Sequence, residues 1–114
     1  LKKPLPIWKS MMNKPRPYLS LKDAFKVFKF TIEKDFFNNE SFNILSNNLT
    51  LKTIIKYFKK YKKNVKIKYE NSKLINQYSY KVSMKKFENN AFKLNGNICD
   101  DIKSTLKIFR NINQ

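Results

Sequence analysis

The amino-acid sequence predicts an α/β domain of short strands with three to four helices, and three observations carry that reading. Apolar residues recur at helical spacing in stretches that begin at Leu21, Leu51 and Ile98. Short runs between them alternate apolar and polar side chains, most clearly over Val65–Tyr69. Asn and Pro punctuate the chain, and 41% of its 114 residues are hydrophobic, enough for one modest core with no internal domain boundary.

Taken in order, Leu5–Trp8 reads as a short strand, with Pro4 and Pro6 favouring a sheet edge. Lys9–Pro15 reads as a loop and Tyr18–Leu21 as a brief extended segment. Leu21, Ala24, Phe25, Phe28 and Ile32 then form one helical stripe, with Lys22, Lys26, Lys29 and Glu33 on the other face. Ser20 and Asp23 have the spacing of a capping box for this helix. Phe36–Glu40 is a loop and Ser41–Ser46 a predicted strand. Asn47, Asn48 and Thr50 offer N-caps for a helix carrying Leu51, Ile54, Ile55 and Phe58. The strand Val65–Tyr69 is followed by a loop to Gln77 and an extended run over Tyr78–Val82. Ser83 caps a short helix with Met84 and Phe87, a loop spans Asn89–Asn97, and Ile98, Ile102, Leu106 and Phe109 mark the last helix.

The net charge is +17, almost wholly lysine, since only Arg16 and Arg110 are arginines. The lysines are spread along the chain in an Asn- and Ile-rich background, as an AT-rich coding sequence produces. That pattern reads as a solvated surface more readily than as a nucleic-acid footprint. There is no histidine and one cysteine, Cys99, which excludes a Cys/His zinc site, a histidine base and an internal disulfide within these residues. A reducing, cytoplasmic setting fits. Gly96 is the only glycine, so neither a Walker loop nor a G-x-G-x-x-G turn is present. No apolar run reaches the roughly 18 residues of a membrane span. Nothing after Leu1 resembles a signal peptide, and the chain reads as the tail of a longer protein.

The segment Arg16-Pro17-Tyr18-Leu19-Ser20-Leu21-Lys22-Asp23 is the most informative. An arginine just before a strand-to-helix turn suits an anion, because its planar fork of donors matches phosphate and stays charged. Three further blocks stand in order with it: Leu5-Pro6-Ile7-Trp8, Ser41–Ser46 with Thr50-Leu51-Lys52, and Ser79-Tyr80-Lys81-Val82-Ser83 with Lys86-Phe87. Together they resemble the C-terminal part of extended short-chain dehydrogenases/reductases, the NAD-dependent nucleotide-sugar epimerases and dehydratases. The likeness covers nearly the whole chain. It implies that residues 1–114 are a single partial domain, the substrate-binding subdomain, with the Rossmann half absent. NAD or NADP and the catalytic Tyr-x-x-x-Lys would then belong to that N-terminal half, and none is bound by this chain. The partners implied are a nucleotide-sugar substrate, the Rossmann domain and a possible homodimer of the intact enzyme, with no membrane. Implied substrate contacts are Arg16 and Tyr18 at the diphosphate, Pro6 and Trp8 at the base, and Tyr80. The chain departs from the family block at Pro17, where Asp is usual, and at Tyr78, where an arginine is usual; Lys73 and Lys81 stand near the second departure.

Other readings of the same residues stand beside these. Arg16 also suits a surface ion pair with Asp23 or Glu33, and Trp8 suits core packing. Two Tyr-x-x-x-Lys strings, Tyr18…Lys22 and Tyr69…Lys73, fall across a turn and in a loop, so neither reads as catalytic. Lys59–Lys63, with Tyr61 inside it, fits either phosphates and stacking or a solvated helix end. A small lysine-rich nucleic-acid-binding protein is therefore the alternative function. A substrate half standing alone also predicts an exposed apolar face, placed at Phe36, Phe37 and Trp8.

Overall fold

The computed structural model describes residues 3–36, 39–71 and 79–112. It contains β1 (Leu5–Trp8), β2 (Pro15–Tyr18), α1 (Leu21–Glu33), β3 (Asn47–Thr50), α2 (Leu51–Tyr61), β4 (Ile67–Glu70), α3 (Lys85–Asn90) and α4 (Ile98–Ile112), with a 3-10 turn at Lys9–Met11. The chain is thus a small mixed α/β domain of four helices and short strands, the class its sequence predicts. Among the described residues the strands form two separate pairs. β1 runs parallel to β4, Leu5 opposite Ile67 and Trp8 opposite Glu70; β2 runs antiparallel to β3, Arg16 opposite Leu49 and Pro17 opposite Asn48. Every strand of a two-stranded sheet has a free edge, so Pro6, Pro15 and Pro17 are tolerated inside strands.

Three strand assignments shift, the least of them at β4, which runs Ile67–Glu70 where Val65–Tyr69 is predicted. Ser41–Ser46 is not a strand; the pairing starts at Asn47, and the apolar residues just before it are used for packing, Leu45 in the core and Phe42 in an aromatic cluster. β2 starts three residues before the predicted extended segment, at the last residue of the predicted loop Lys9–Pro15. Over Ser41–Ser46 side-chain alternation reports burial, whereas ladder pairing is decided by the partner strand.

Local signals account for the starts of α2 and α4 and for the end of α1. Thr50 Oγ1 accepts from the Thr53 amide at 3.3 Å and caps α2. Asn97 Oδ1 accepts from the Cys99 amide at 2.9 Å at the start of α4, whose first turn carries Asp100 and Asp101. α1 ends in a Schellman turn: Asp35 takes the left-handed position with φ 48°, and the Phe36 amide reaches back to the Thr31 carbonyl at 2.9 Å. The ring of Phe36 then packs on Phe30 with centroids 5.2 Å apart.

Ile7, Leu45, Ile55, Phe87 and Ile98 are buried. Phe87 is also the hub of a cluster with Phe30, Phe36, Phe42 and Phe92, with ring separations from 5.1 to 6.4 Å. Phe36 is therefore half-buried in this cluster and not part of the exposed face the sequence assigned it; Phe37 lies outside the described residues. Trp8 is half-exposed as expected. The molecule is a slab, 18 Å through its thinnest dimension, with a radius of gyration of 17.0 Å. A compact chain of this length has about 13 Å.

The largest surprise is the orientation of α1. Its apolar stripe faces out, and Asp23, with Val27 and Phe30 beside it, faces in. Asp23 is fully buried, and its Oδ2 accepts from Ser46 Oγ at 2.5 Å and from the Gly96 amide at 2.8 Å. Leu21, Phe25, Phe28 and Ile32 lie on the opposite side of the helical cylinder from Asp23. Fixing the carboxylate inward therefore turns the stripe outward. Ser20 is the N-cap by position, but its side chain caps nothing; the Leu21 amide donates instead to Asp101 Oδ2, 80 residues on, at 3.1 Å. The expected capping box is replaced by these long-range contacts.

Candidate functional site

Four of the five sequence-predicted contacts meet in one cleft. Pro6 and Trp8 from β1 and Arg16 and Tyr18 from β2 line an open cavity of about 980 Å³, floored by Leu51, Ile54, Ile55 and Phe58 of α2. The parallel β1–β4 pair forms one wall and β2 the other, with Lys14, Lys59 and Glu70 also lining it. Its base is apolar and its charged groups are few, the usual make-up of a small-molecule site.

Arg16 is its most unusual member. The Nε and Nη2 groups are buried and have no hydrogen-bond partner among the described residues. Neither Asp23 nor Glu33 takes the guanidinium: Asp23 is held by Ser46 and Gly96, and Glu33 lies 3.7 Å from Lys29 Nζ. The ion pair considered from sequence is thus not formed. Tyr80, the fifth predicted residue, instead presents its ring face, with the Arg16 Cζ 5.1 Å from the ring centroid.

Asn48 explains how Tyr80 reaches this place, and sequence reasoning missed it beyond noting a possible helix cap. Its amide side chain donates to the Val82 carbonyl at 2.9 Å and accepts from the Val82 amide at 3.0 Å. This is one rung of a strand ladder made by a side chain. Asn48 pairs with Pro17, so the rung ties the Tyr80 segment to β2 beside Arg16. No local signal could have revealed it, because it depends on the β2–β3 register.

Tyr18 and Phe58 stand between this cleft and a second groove of about 960 Å³, bounded by Leu19 and by Ile102, Leu106 and Phe109 of α4. At its edge Arg110 Nη2 donates to the Tyr61 carbonyl at 3.0 Å, closing the end of α2. Tyr61 Oη lies 3.6 Å from Cys99 Sγ. That hydrogen bond, with burial adding to it, raises the phenol above its ordinary value near 10. Cys99 is half-buried and has the phenol as its neighbour, in keeping with a packing role.

The remaining candidates do not join the cleft as catalysts. Tyr18 ends β2 and Lys22 lies in the first turn of α1, so that Tyr-x-x-x-Lys string spans a turn. Lys73 and Tyr78 lie outside the described residues. Of the Lys59–Lys63 run, Lys59 lines the cleft, while Lys60 sits over its neighbour's ring, 5.5 Å from the Tyr61 centroid. Among the described residues there is no metal-ligand cluster, and no helix is long and apolar enough to cross a membrane. No protein-family model, curated protein or solved structure matches this chain.

Proposed function

We propose that the chain is the substrate-binding portion of an NAD(P)-dependent nucleotide-sugar epimerase/dehydratase, and that it binds the nucleotide diphosphate of the sugar. The observation that carries this reading is Arg16, which holds two buried N–H groups without a partner among the described residues, at a cleft shared with Trp8, Pro6 and Tyr18. A diphosphate oxygen would satisfy donors that are costly to leave unmade. The half-exposed indole of Trp8 offers a stacking face for a base. Lys14 and Lys59 add charge at the same cleft.

This chain supplies binding and orientation only. A dinucleotide would be held by the other half of the enzyme and would supply hydride chemistry there. The described residues do not fit that cofactor, since the single glycine is packed against Ser20 and Asp23 and leaves no open cradle. The chain alone is accordingly expected to be inactive, and NAD-dependent turnover from residues 1–114 would contradict the assignment. The nucleic-acid alternative has less support, because lysines stand on all four helices rather than on one.

Trp8 is the only tryptophan, so its fluorescence reports directly on the cleft. Titrating UDP and CDP into the chain is expected to change that signal saturably, and Arg16→Met is expected to weaken binding roughly 10- to 100-fold. An unchanged signal, or affinity indifferent to Arg16, would rule the reading out. Tighter retention of single-stranded DNA than of either nucleotide, lost at moderate salt, would favour the alternative.

A further inference from the structure

We infer that the outward face of α1 is a docking surface for an acidic protein helix that carries an apolar ridge. Leu21, Phe25, Phe28 and Ile32 are 79, 68, 70 and 71% exposed. They follow helical spacing without interruption and form one stripe about 16 Å long. Single exposed apolar residues are ordinary, but a contiguous row of four large ones is uncommon on a surface that meets only water. The stripe matches the way a helix is read by a partner helix, through anchors one turn apart.

Charge selects the occupant. The polar margin of the stripe carries Lys22 and Lys29, with Lys26 further round the helix donating to Asn95 Oδ1 at 2.8 Å, and its one acid, Glu33, lies 3.7 Å from Lys29. A second copy of the chain would set lysine against lysine and bring two bodies of charge +17 together. An acidic helix would cover the four apolar side chains and place its carboxylates on those lysines. The thinness of the slab adds to the argument, since an 18 Å body has little interior in which to bury this face itself. The inference does not depend on the nucleotide cleft, which lies on other elements, and it stands or falls separately.

The test uses the full chain and a labelled 18-residue amphipathic peptide with leucine at helical spacing and glutamate on its flanks, read by fluorescence anisotropy. A lysine-flanked counterpart, phosphatidylcholine/phosphatidylserine vesicles and sedimentation of the chain alone serve as competing arms. The glutamate peptide is expected to bind, less tightly as salt rises. Phe25→Ser with Phe28→Ser is expected to weaken binding roughly 10- to 100-fold. Lys22→Glu with Lys29→Glu should shift preference to the lysine peptide. Because all four altered side chains are exposed, helicity should be unchanged. No binding, equal binding of both peptides, or indifference to the stripe variants overturns the inference. So does stripe-dependent dimerisation or vesicle binding in place of peptide binding.

Discussion

Arg16 and Asp23 stand at the two ends of one eight-residue segment, both with buried polar atoms, and they are treated in opposite ways. The carboxylate is gathered in: Asp23 Oδ2 takes two donors, from Ser46 and from Gly96, elements distant in sequence. The guanidinium is left with two N–H groups that no described residue accepts, against a tyrosine ring. Folding energy explains the first arrangement, because each donor is satisfied and three segments are joined at one oxygen. It does not explain the second, since unpaired buried donors cost stability. The contrast separates an end that builds the domain from an end poised for a ligand. The separation is incomplete at one point: Asp23 Oδ1 and Ser20 Oγ are also buried without a partner among the described residues.

The structural end should be the more fragile, and Gly96 is its most sensitive point. A Cβ at Gly96 would meet Ser20 Cβ, and would lie 2.5 Å from Asp23 Oδ2 and 2.6 Å from Ser20 Oγ. Ser20 Cβ belongs to the helix N-cap and cannot swing away as a flexible side-chain tip would. We expect Gly96→Ala to destabilise by about 3 kcal/mol or more, measured by urea unfolding. Asp23→Ala should follow at about 2–3 kcal/mol, because it strands the Gly96 amide and the Ser46 hydroxyl. It should also release the rotation of α1, seen as altered amide exchange over Leu21–Glu33. If Asp23→Ala unfolds at the wild-type urea midpoint, the contrast with Arg16 fails at its stronger half.

How much of this was legible beforehand depends on which interactions are local. The helices from Leu21, Leu51 and Ile98 were readable because periodicity and caps such as Thr50 act within a few residues. Pro6 and Trp8 lie on β1, as the strand reading of Leu5–Trp8 expects, whereas Arg16, expected just before a strand, falls inside β2. What could not be read was the direction in which α1 faces. Its stripe is the strongest apolar signal on the helix, and sequence logic would turn it inward. Asp23 overrides it through Ser46 and Gly96, which stand 23 and 73 residues away. Asn48 was equally hidden, since its two bonds to Val82 depend on strand register.

Asn48 tests whether the cleft is held rigidly. Asn48→Ala removes both bonds to Val82 and leaves its amide and carbonyl to find water, at a cost of about 1–2 kcal/mol. It should leave the Asp23 end untouched, so amide protection near Gly96 should persist. The expected loss lies at Tyr80, whose ring would no longer be held over Arg16. Tyr80 side-chain resonances that broaden or shift in the variant would show this; unchanged ones would mean that something other than Asn48 seats the ring.

The smallest effect on stability is expected at Arg16, and it is the one that decides the comparison. Arg16→Met keeps an unbranched stem of similar reach while removing the guanidinium. The loss is the contact with Tyr80, about 0.5–1 kcal/mol at a partly exposed site. Against it stands the relief of two buried donors that no described residue accepts, about 1–3 kcal/mol for each. The relief is the larger, so Arg16→Met should unfold at the same urea concentration as the native chain or slightly higher. Nucleotide affinity should fall in the same variant. A residue whose removal costs binding but no stability is being kept for its ligand. A clear drop in stability would instead mean that Arg16 is structural, like Asp23, and that the two ends of the segment do the same job.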